Sequence, residues 1–526
     1  MICDVATLPD EVPGTSGVLI IGSGPVGLVI ARHLAELGVA ATVLEAGGEL
    51  PSAVDRDCLH IECSDQILTG AQLGRTRQLG GGLNLWGGQL ARFHAATLDA
   101  PSSAWPLAAI ELDGAFDIAA RLLGAPPRAL TPPPLALATM RAELARFELE
   151  AVATSWLSAP KWRRAVWAEL RHSARIRIVL GAAVSAIALD PARGEVKGVV
   201  VRTREGRRLS FTGRAVIIAA GTIESVRLLL QPAADGRPQP WHDLPWLGRG
   251  FSEHLEAMVA RIHVTSPSRL ADFFDPVVGP DGKQTWKLFG RVALGEGEDS
   301  CGVVMLSAPG NLRHSLAEVR LLLRTLSPRD APASLPRLFA AAASSLGEVG
   351  PLAFRYVRHR RIGSYFRGSP SLRASVEQTA RFDNRLELAA SCDPLGIRRA
   401  RLYWHTGREE GMVFQALARR AARWLEAEGI GQAELPARLL EDPEGFAQSA
   451  DEGLHPAGGA RMSLSARDGV VDRDLQVHGV SGLYVCGASV FPRMGYANPT
   501  LPAAALGVRL AQKLAQRATD AERSAA

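Results

Sequence analysis

One glycine-rich turn limits the folds open to this chain more than any other feature. The turn, Gly22-Ser-Gly24-Pro-Val-Gly27, directly follows an unbroken apolar run at residues 17–21. Such a run favours a strand buried on both faces of a parallel sheet. Apolar residues recur with helical spacing through residues 28–37, and residues 41–45 have the composition of a second buried strand. The segment therefore predicts the strand, helix and strand that begin a Rossmann-type α/β fold.

The same turn predicts a ligand. Glycines at these positions permit a tight turn, and they let backbone N–H groups approach a pyrophosphate at the positive end of the helix. Glu45, at the end of the second strand, is placed to accept hydrogen bonds from the hydroxyls of an adenosine ribose. FAD and NAD share this ADP half, so the turn alone leaves both open. An ordinary glycine-rich turn without a ligand is the alternative.

A second glycine-rich segment, residues 80–88, has the sequence Gly-Gly-Gly-Leu-Asn-Leu-Trp-Gly-Gly. Five glycines in nine residues indicate a loop whose backbone comes very close to another group. A flexible surface linker is the alternative, but Leu85 and Trp86 favour a packed loop. We therefore expect this loop to contact a ligand.

The middle of the chain predicts further strands. Residues 215–218 form an apolar run that breaks near Gly221, which predicts another strand of the parallel sheet and then a helix at residues 225–230. A proline-rich segment, residues 125–134, predicts an exposed connection. Much of residues 257–450 lacks clear periodicity and is expected to form a second layer that faces the substrate. A small β-meander is predicted at residues 176–180, 183–189, 196–202 and 207–212.

The C-terminal block contains the second chemical signal. Here His455-Pro-Ala-Gly-Gly precedes an apolar strand at residues 483–486, and Asn498-Pro-Thr500 follows that strand. By itself His455 could be a turn residue. Asn498 is well suited to cap the helix that follows it.

Taken in order, these motifs resemble the glucose-methanol-choline (GMC) oxidoreductases, a family of flavoproteins that oxidise alcohols. The pattern of His455 with Asn498-Pro-Thr500 is the most specific of them, whereas residues 265–370 match nothing in the family. The other matching features are residues 22–27 with Glu45, residues 80–88, Ala219-Ala-Gly221 with Ser225, and Gly248-Arg-Gly-Phe-Ser-Glu253-His254.

The resemblance implies a fold class and a division into domains. The fold is α/β, with a Rossmann-type FAD-binding domain that contains a parallel sheet, helices and a β-meander. A second, α+β domain built from inserted segments would bind the substrate. We assign residues 1–95, 175–256 and 450–526 to a discontinuous FAD-binding domain, and residues 96–174 and 257–449 to the substrate-binding domain.

The resemblance also implies the chemistry. The family places the FAD isoalloxazine against a histidine that is paired with a second histidine or an asparagine, and His455 and Asn498 fall on those positions. His455 would accept the alcohol proton as general base, because the pKa of histidine lies near neutral pH. Asn498 would bind the same oxygen, and the hydride would pass to flavin N5. His254, His405 and His478 lie in segments with structural roles in the family and are not expected to act.

The expected FAD contacts extend over several segments of the chain. Some relatives attach FAD covalently through a histidine in the glycine loop, but residues 80–88 contain none, so noncovalent FAD is expected. No metal ion is expected. The predicted cofactor-binding residues are Gly22, Ser23, Gly24, Pro25, Val26, Gly27, Glu45, Gly81, Gly82, Asn84, Trp86, Gly87, Gly88, Val184, Ala220, Gly221, Gly487, Ala488, Asn498, Pro499 and Thr500.

The implied reaction is oxidation of an alcohol to a carbonyl, with oxygen or another acceptor reoxidising the flavin, so oxidase and dehydrogenase both remain open. The Asn84-Leu-Trp86-Gly-Gly form of the loop resembles relatives that act on sugars, glycosides or cyclitol-like polyols, which favours a carbohydrate-like alcohol. The alternatives are a sterol or aliphatic alcohol, a flavin-containing lyase or isomerase without net redox change, and a noncatalytic flavin-binding protein.

Composition limits the partners. The formal net charge of +5 comes from dispersed arginines, which compositional bias explains better than nucleic-acid binding. The basic run at residues 355–361 is typical of a solvated face, with an anionic partner or membrane surface as the alternative. The sequence predicts no membrane-spanning segment, no signal peptide, and neither a disulfide framework nor a zinc site. We expect a small-molecule alcohol substrate, no nucleic acid and a cytoplasmic setting.

Overall fold

A computed structural model describes residues 1–9, 17–64, 68–126, 130, 142–157, 166–167, 169–190, 192–279, 282–295, 297–307, 357 and 369–525. Most of the proline-rich segment at 125–134 lies outside the described residues, as does the basic run at 355–361 apart from Val357.

The described residues form strands and helices in alternating blocks. The strands are β1 (Ile2–Asp4), β2 (Val18–Ile21), β3 (Ala41–Leu44), β4 (Glu62–Cys63), β5 (Gln89–Leu90), β6 (Glu150–Trp156), β7 (Ile176–Leu180), β8 (Ala183–Asp190), β9 (Glu195–Arg202), β10 (Arg208–Thr212), β11 (Ala215–Ile218), β12 (His254–Val264), β13 (Val277–Gly279), β14 (Gly282–Gly295), β15 (Glu298–Ser307), β16 (Ser371–Glu377), β17 (Arg385–Cys392), β18 (Arg398–Tyr403), β19 (Gly431–Glu434), β20 (Asp451–Glu452) and β21 (Leu483–Val485). The α-helices are α1 (Pro25–Glu36), α2 (Ala53–Cys58), α3 (Thr69–Leu73), α4 (Ala95–Asp99), α5 (Asp113–Leu122), α6 (Thr222–Leu230), α7 (Pro267–Phe274), α8 (Arg408–Ala427), α9 (Ala437–Glu441), α10 (Pro443–Gln448) and α11 (Thr500–Ala525).

The predicted parallel sheet is present, with the strand order β1-β7-β3-β2-β11-β21. Every residue of β2, β3 and β11 is buried, because an unbroken apolar run is stable only where both faces of the strand are covered. Helix α1 follows β2 and packs against the C-terminal helix α11. The carboxyl ends of β2, β11 and β21 therefore open onto one edge of the sheet.

One strand differs from the sequence prediction. The segment Ile176–Leu180, predicted as part of the meander, is β7 and runs parallel between β1 and β3. Four of its five residues are buried, as a central strand of a covered sheet requires. The antiparallel meander consists of β8, β9 and β10 alone.

A larger sheet lies beside the parallel one, in the order β19-β12-β16-β15-β14-β6-β5. Helix α8 packs across one face of it, against β12, β14, β15 and β16. The short strand β20 pairs with the first residues of β12, aligning Glu452 with Leu255. This pairing brings the segment before His455 against the segment that contains His254.

The six parallel strands all come from residues 1–95, 175–256 and 450–526, whereas most of the larger sheet comes from residues 257–449. The division into two domains at these boundaries remains our prediction. Within the described ranges, no helix combines the length and apolar character needed to cross a membrane.

Candidate active site

The turn between β2 and α1 has the backbone geometry that its glycines allow. Gly22 has a φ of +100°, and a Cβ atom there would lie 2.7 Å from the carbonyl oxygen of Ala219. No described atom lies within 4 Å of a Cβ built on Gly24, the residue that precedes the first helical residue, Pro25. The turn is therefore closed on the side of the sheet and open in front of the helix.

A cleft of about 300 Å³ opens at this turn, and we call it the dinucleotide cleft. Three helices begin at its wall: α1 at Pro25, α6 at Thr222 and α11 at Thr500. A helix N-terminus carries a partial positive charge and free N–H groups, so this wall favours an anionic ligand. Predicted residues that line it are Gly22, Gly24, Pro25, Val26, Glu45, Gly81, Gly82, Val184, Ala220, Gly221, Gly487, Ala488, Pro499 and Thr500.

Two arginines that the sequence analysis missed also line the cleft. Arg75 forms an ion pair with Glu224 at 2.8 Å, and Arg77 donates a hydrogen bond to the carbonyl oxygen of Ala46 at 3.1 Å. Neither follows a helical or strand pattern, so only the folded chain identifies them. Together with the glycine turn and the helix N-termini, they make a site that fits an anionic dinucleotide.

Glu45 is held by the turn itself. Its carboxylate accepts hydrogen bonds from Ser23 N at 3.0 Å, Ser23 Oγ at 2.6 Å and Gly47 N at 2.8 Å. Burial raises the pKa of this carboxyl, and these donors oppose that rise. Glu45 therefore braces the turn and also borders the cleft where we expect a ribose.

Other predicted cofactor residues support the cleft from behind. A Cβ on Gly27 would collide with the carbonyl oxygen of Gly22, so this glycine permits helix and turn to pack. Asn84 Nδ2 donates to the carbonyl oxygens of Leu79 and Gly81, at 3.0 and 2.9 Å. The predicted cofactor-binding residues that do not line the cleft are Ser23, Gly27, Asn84, Trp86, Gly87, Gly88 and Asn498.

The glycine loop is only partly packed. Its first residues, Gly81–Asn84, form a single 3₁₀ turn, and Trp86 is half-buried against the core. Leu85 is 53% exposed, contrary to our expectation that it packs. The physical reason is that the 3₁₀ turn directs successive side chains to different sides of a short loop.

Backbone contacts place His455. Gly453 N donates to the His254 carbonyl at 2.7 Å, and His455 N donates to Glu253 Oε1 at 2.6 Å. Gly458 has a φ of +78°, and a Cβ there would collide with the carbonyl oxygen of Gly250. These contacts hold the segment around His455 against the residues that precede and begin β12.

Three hydrogen bonds connect four groups in a line, which we call the histidine row: the Gly495 carbonyl, His254, His455 and Asn498. His254 Nε2 lies 2.7 Å from the Gly495 carbonyl oxygen, and His254 Nδ1 lies 3.0 Å from His455 Nδ1. His455 Nε2 lies 2.8 Å from Asn498 Nδ2. His254, which the sequence places in a segment with a structural role, is thus in direct contact with His455.

The row determines where the protons lie. A carbonyl oxygen only accepts, so His254 Nε2 carries a proton and, in the neutral ring, Nδ1 has a lone pair. His455 Nδ1 must then donate to it, which leaves His455 Nε2 unprotonated. Asn498 donates to that nitrogen. The arrangement presents His455 Nε2 as a base beside an amide N–H donor.

Electrostatics keep both rings neutral. Burial lowers the pKa of His455 well below its usual value; the charge of Lys287 lowers it further, as would a proton on His254. Burial also lowers the pKa of His254, although the hydrogen bond to Gly495 opposes this. A neutral imidazole is the form that can accept a proton.

The carbonyl at the end of the row is itself fixed. Gly495 N donates to Glu377 Oε2 at 2.7 Å, and Arg493 Nε donates to Glu377 Oε1 at 2.8 Å. Glu377 is buried at the end of β16. The larger sheet therefore anchors the loop that orients His254.

Asn498 does not cap the last helix, contrary to the sequence prediction. Helix α11 begins at Thr500, and Ala503 N donates to the carbonyl oxygen of Pro499 at 2.9 Å. Pro499 thus occupies the cap position, which frees the Asn498 amide to contact His455.

The histidine row meets the dinucleotide cleft at two prolines. Pro456 follows His455 in the sequence and Pro499 follows Asn498. Both prolines line the cleft. Thr222 Oγ1, at the start of α6, donates to the Pro456 carbonyl at 2.6 Å. His455 and Asn498 are therefore each adjacent in sequence to a residue that lines the cleft.

Comparisons with known proteins give a family match for the C-terminal part of the chain. Residues 380–507 match the family model described as GMC oxidoreductase. A C-glycoside 3-oxidase from Arthrobacter globiformis is 31% identical over 146 residues, which is 28% of this chain and 25% of that protein. The match thus spans about a quarter of that relative's length.

Solved structures with the same fold cover nearly the whole chain. Pyridoxine 4-oxidase from Mesorbium loti has a TM-score of 0.57 at 18% identity, covering 95% of this chain and 99% of that chain. A formate oxidase variant from Aspergillus oryzae RIB40 has a TM-score of 0.57 at 16% identity, covering 98% of this chain and 100% of that chain. At this identity the likeness is one of fold.

Proposed function

We propose that the chain is an FAD-dependent enzyme of the GMC oxidoreductase type that oxidises an alcohol to a carbonyl compound, since residues 380–507 match the family model of these proteins. The observation that supports this most directly is the distance of 2.8 Å between His455 Nε2 and Asn498 Nδ2, in a row of hydrogen bonds that assigns the lone pair of His455 to Nε2. A base next to a hydrogen-bond donor is what an alcohol needs in order to lose its O–H proton.

The ADP half of the cofactor would lie in the dinucleotide cleft. The turn at Gly22 and Gly24 and the N-termini of α1, α6 and α11 would hold the pyrophosphate, and Glu45 would take the ribose. Bound there, FAD supplies a hydride acceptor at its N5 atom. We propose that the attachment is noncovalent, because residues 80–88 offer no histidine to form a bond.

His455 would act as general base. When the Asn498 amide turns its N–H from His455 to the substrate oxygen, the lone pair of His455 Nε2 is free to accept the O–H proton, and the amide binds that oxygen as negative charge develops on it. His254 passes no proton in this scheme; it holds His455 in the tautomer that has its lone pair on Nε2. Loss of the O–H proton makes the carbinol C–H a better hydride donor.

We propose a carbohydrate-like alcohol as substrate. The Asn84-Leu-Trp86-Gly-Gly loop supports this, and so does the segment shared with a C-glycoside 3-oxidase. Oxygen or another acceptor would reoxidise the flavin. A cytoplasmic location remains a prediction.

An anaerobic screen tests the function. The FAD-loaded protein is mixed with a panel of sugars, glycosides, cyclitols and simple alcohols, and the flavin band at about 450 nm is followed. Bleaching by one of them supports alcohol oxidation, and admission of air then tests oxygen as the acceptor. If a compound is converted while the band stays intact, the reaction is a lyase or isomerase reaction and the proposal fails.

The base assignment has its own test. His455→Gln should keep FAD but lose about 10²- to 10⁴-fold in the rate of flavin reduction. His172→Gln, at an exposed position, is the matched control and should reduce flavin normally. An unchanged rate in His455→Gln would refute the role of this residue.

A further inference from the structure

A lysine of the larger sheet faces the histidine row. Side chains alternate between the two faces of a strand. A Cβ on Gly290 of β14 would lie 2.6 Å from Leu417 of α8, so the even-numbered residues around it face the helix. Lys287 and Phe289 share the opposite face, and the Phe289 ring lies 5.4 Å from that of Tyr496, two residues before Asn498.

Lys287 is close enough to the row to act on it electrostatically. Its charge lowers the pKa of both His254 and His455. Burial in turn lowers the pKa of Lys287 to about 8, so the ammonium is mostly protonated at neutral pH. The residue as a whole is 7% exposed.

This buried cation has no partner among the residues that the structure describes. No described hydrogen bond or ion pair reaches Lys287 Nζ. Its direct neighbour on β6 is Val152, which carries no charge. Glu256 raises the pKa of Lys287 from a distance, but its carboxylate is paired with Arg373 at 2.8 Å.

Burying an ammonium without a counter-charge raises the free energy of the folded protein, because the group loses hydration and gains no ion pair. A bound anionic ligand would supply the missing counter-charge. The lysine is on the sheet face directed at the candidate base, so a group bound to it would belong to the same molecule as the reacting alcohol. Oxygen anions are the partners that an ammonium takes most strongly.

We propose that Lys287 is the binding group for an anionic oxygen substituent of the substrate, a carboxylate or a phosphate carried by the same molecule as the alcohol. The inference rests on the proposed function and narrows it: the substrate is an acidic alcohol, such as a sugar acid or a sugar phosphate. Lys287 is then a specificity-determining residue, separate from the base that removes the proton.

Matched alcohols test the proposal. Methyl glucoside, methyl glucuronide and glucose 6-phosphate present similar ring hydroxyls with a neutral, carboxylate or phosphate substituent. Anaerobic flavin reduction gives a rate and an apparent dissociation constant for each. We expect an anionic compound to be preferred over the neutral one by at least about 10-fold, and the preferred anion distinguishes carboxylate from phosphate.

Three variants assign the preference to Lys287. Lys287→Met, which keeps the length and apolar stem, should remove the preference, and Lys287→Arg should retain part of it. Lys283→Met is the matched control, since Lys283 is on the same strand and face but lies over the Trp156 ring at 4.7 Å. The preference is a ratio within one variant, so a general change in rate cancels.

A binding experiment that needs no turnover tests the Lys287 subsite separately from the proposed alcohol oxidation. Acetate and inorganic phosphate are titrated into the FAD-loaded protein and into Lys287→Met by calorimetry. Binding that disappears in Lys287→Met supports the subsite even if no alcohol in the panel is oxidised. Equal anion binding by the two proteins, or equal use of neutral and anionic alcohols by the parent protein, overturns the subsite. Failure of every alcohol to reduce the flavin overturns the proposed function instead.

Discussion

Nδ1 of His254 lies 3.0 Å from Nδ1 of His455, and the Gly495 carbonyl at the far side of His254 decides which ring donates. Two neutral imidazoles that face each other through the same type of nitrogen have one donor and one acceptor. The carbonyl therefore determines, through His254, that the lone pair of His455 is on Nε2. This is the nitrogen that faces Asn498.

Removing His254 should impair the base without removing it. His254→Ala is expected to lower flavin reduction by about 10- to 100-fold, because His455 is then free to take the wrong tautomer. His254→Gln, whose amide oxygen can accept the same proton, should recover part of the rate. His263→Ala is the control, since it is on the same strand with a side chain 61% exposed. A normal rate in His254→Ala would contradict the tautomer argument.

The pH profile should show an acid limb below pH 6.5. The pKa of His455 is lowered well below 6.5 in the folded protein, so the ring stays neutral and able to accept a proton until the pH falls below that lowered value. We expect kcat/KM to be flat through pH 6.5 and to fall at lower pH. In Lys287→Met a positive charge is lost, the pKa of His455 rises, and the limb should move to higher pH. A limb that stays in place in Lys287→Met would contradict this coupling.

Two glycine-to-alanine variants should separate two contributions to stability: the strain of a positive φ angle and the collision of an added Cβ atom. Gly458 and Gly479 have φ angles of +78° and +77°, but only at Gly458 would a Cβ meet another atom, the Gly250 carbonyl oxygen. Gly479→Ala should cost about 1 kcal/mol from the positive φ, and Gly458→Ala about 1 to 3 kcal/mol more. Thermal unfolding midpoints, measured at one scan rate, compare the two. Equal midpoints would show that the close packing of Gly458 against Gly250 contributes little to the stability of the protein.

Glu45→Gln should weaken cofactor binding. The carboxylate accepts from Ser23 on one oxygen and from Gly47 N on the other, and an amide accepts on one side only. One donor of the turn is left unpaired, so the dissociation constant of FAD should rise by about 10-fold. Fluorescence titration of the cofactor-free protein measures it. Glu49→Gln, whose side chain is 61% exposed in the parent, should bind FAD normally.

Acid precipitation tests the noncovalent attachment. Unfolding releases a cofactor held only by the dinucleotide cleft, so the flavin should stay in the supernatant. A yellow pellet after washing would show a covalent bond and would require an attachment residue other than a histidine in residues 80–88.

The parallel sheet shows which strands a local sequence pattern can predict and which it cannot. The apolar runs of β2, β3 and β11 predict buried parallel strands, and the structure confirms them, since such runs are stable only where both faces are covered. The assignment of residues 176–180 to the meander is wrong, because they form the buried parallel strand β7. A short β-branched segment has one local pattern in a meander and in a parallel sheet, and contacts with β1 and β3 decide between them.

The sequence by itself determined the glycine turn, the likeness to the GMC oxidoreductases and the candidate residues His455 and Asn498, because each rests on a short motif whose own residues are a few positions apart. Tertiary structure alone decided that His254, 201 residues before His455, orients it, and that Lys287 of β14 faces the row. The physical reason is that pairing of β20 with β12 and the alternation of side chains along β14 bring distant residues together. No local pattern in the chain records those contacts.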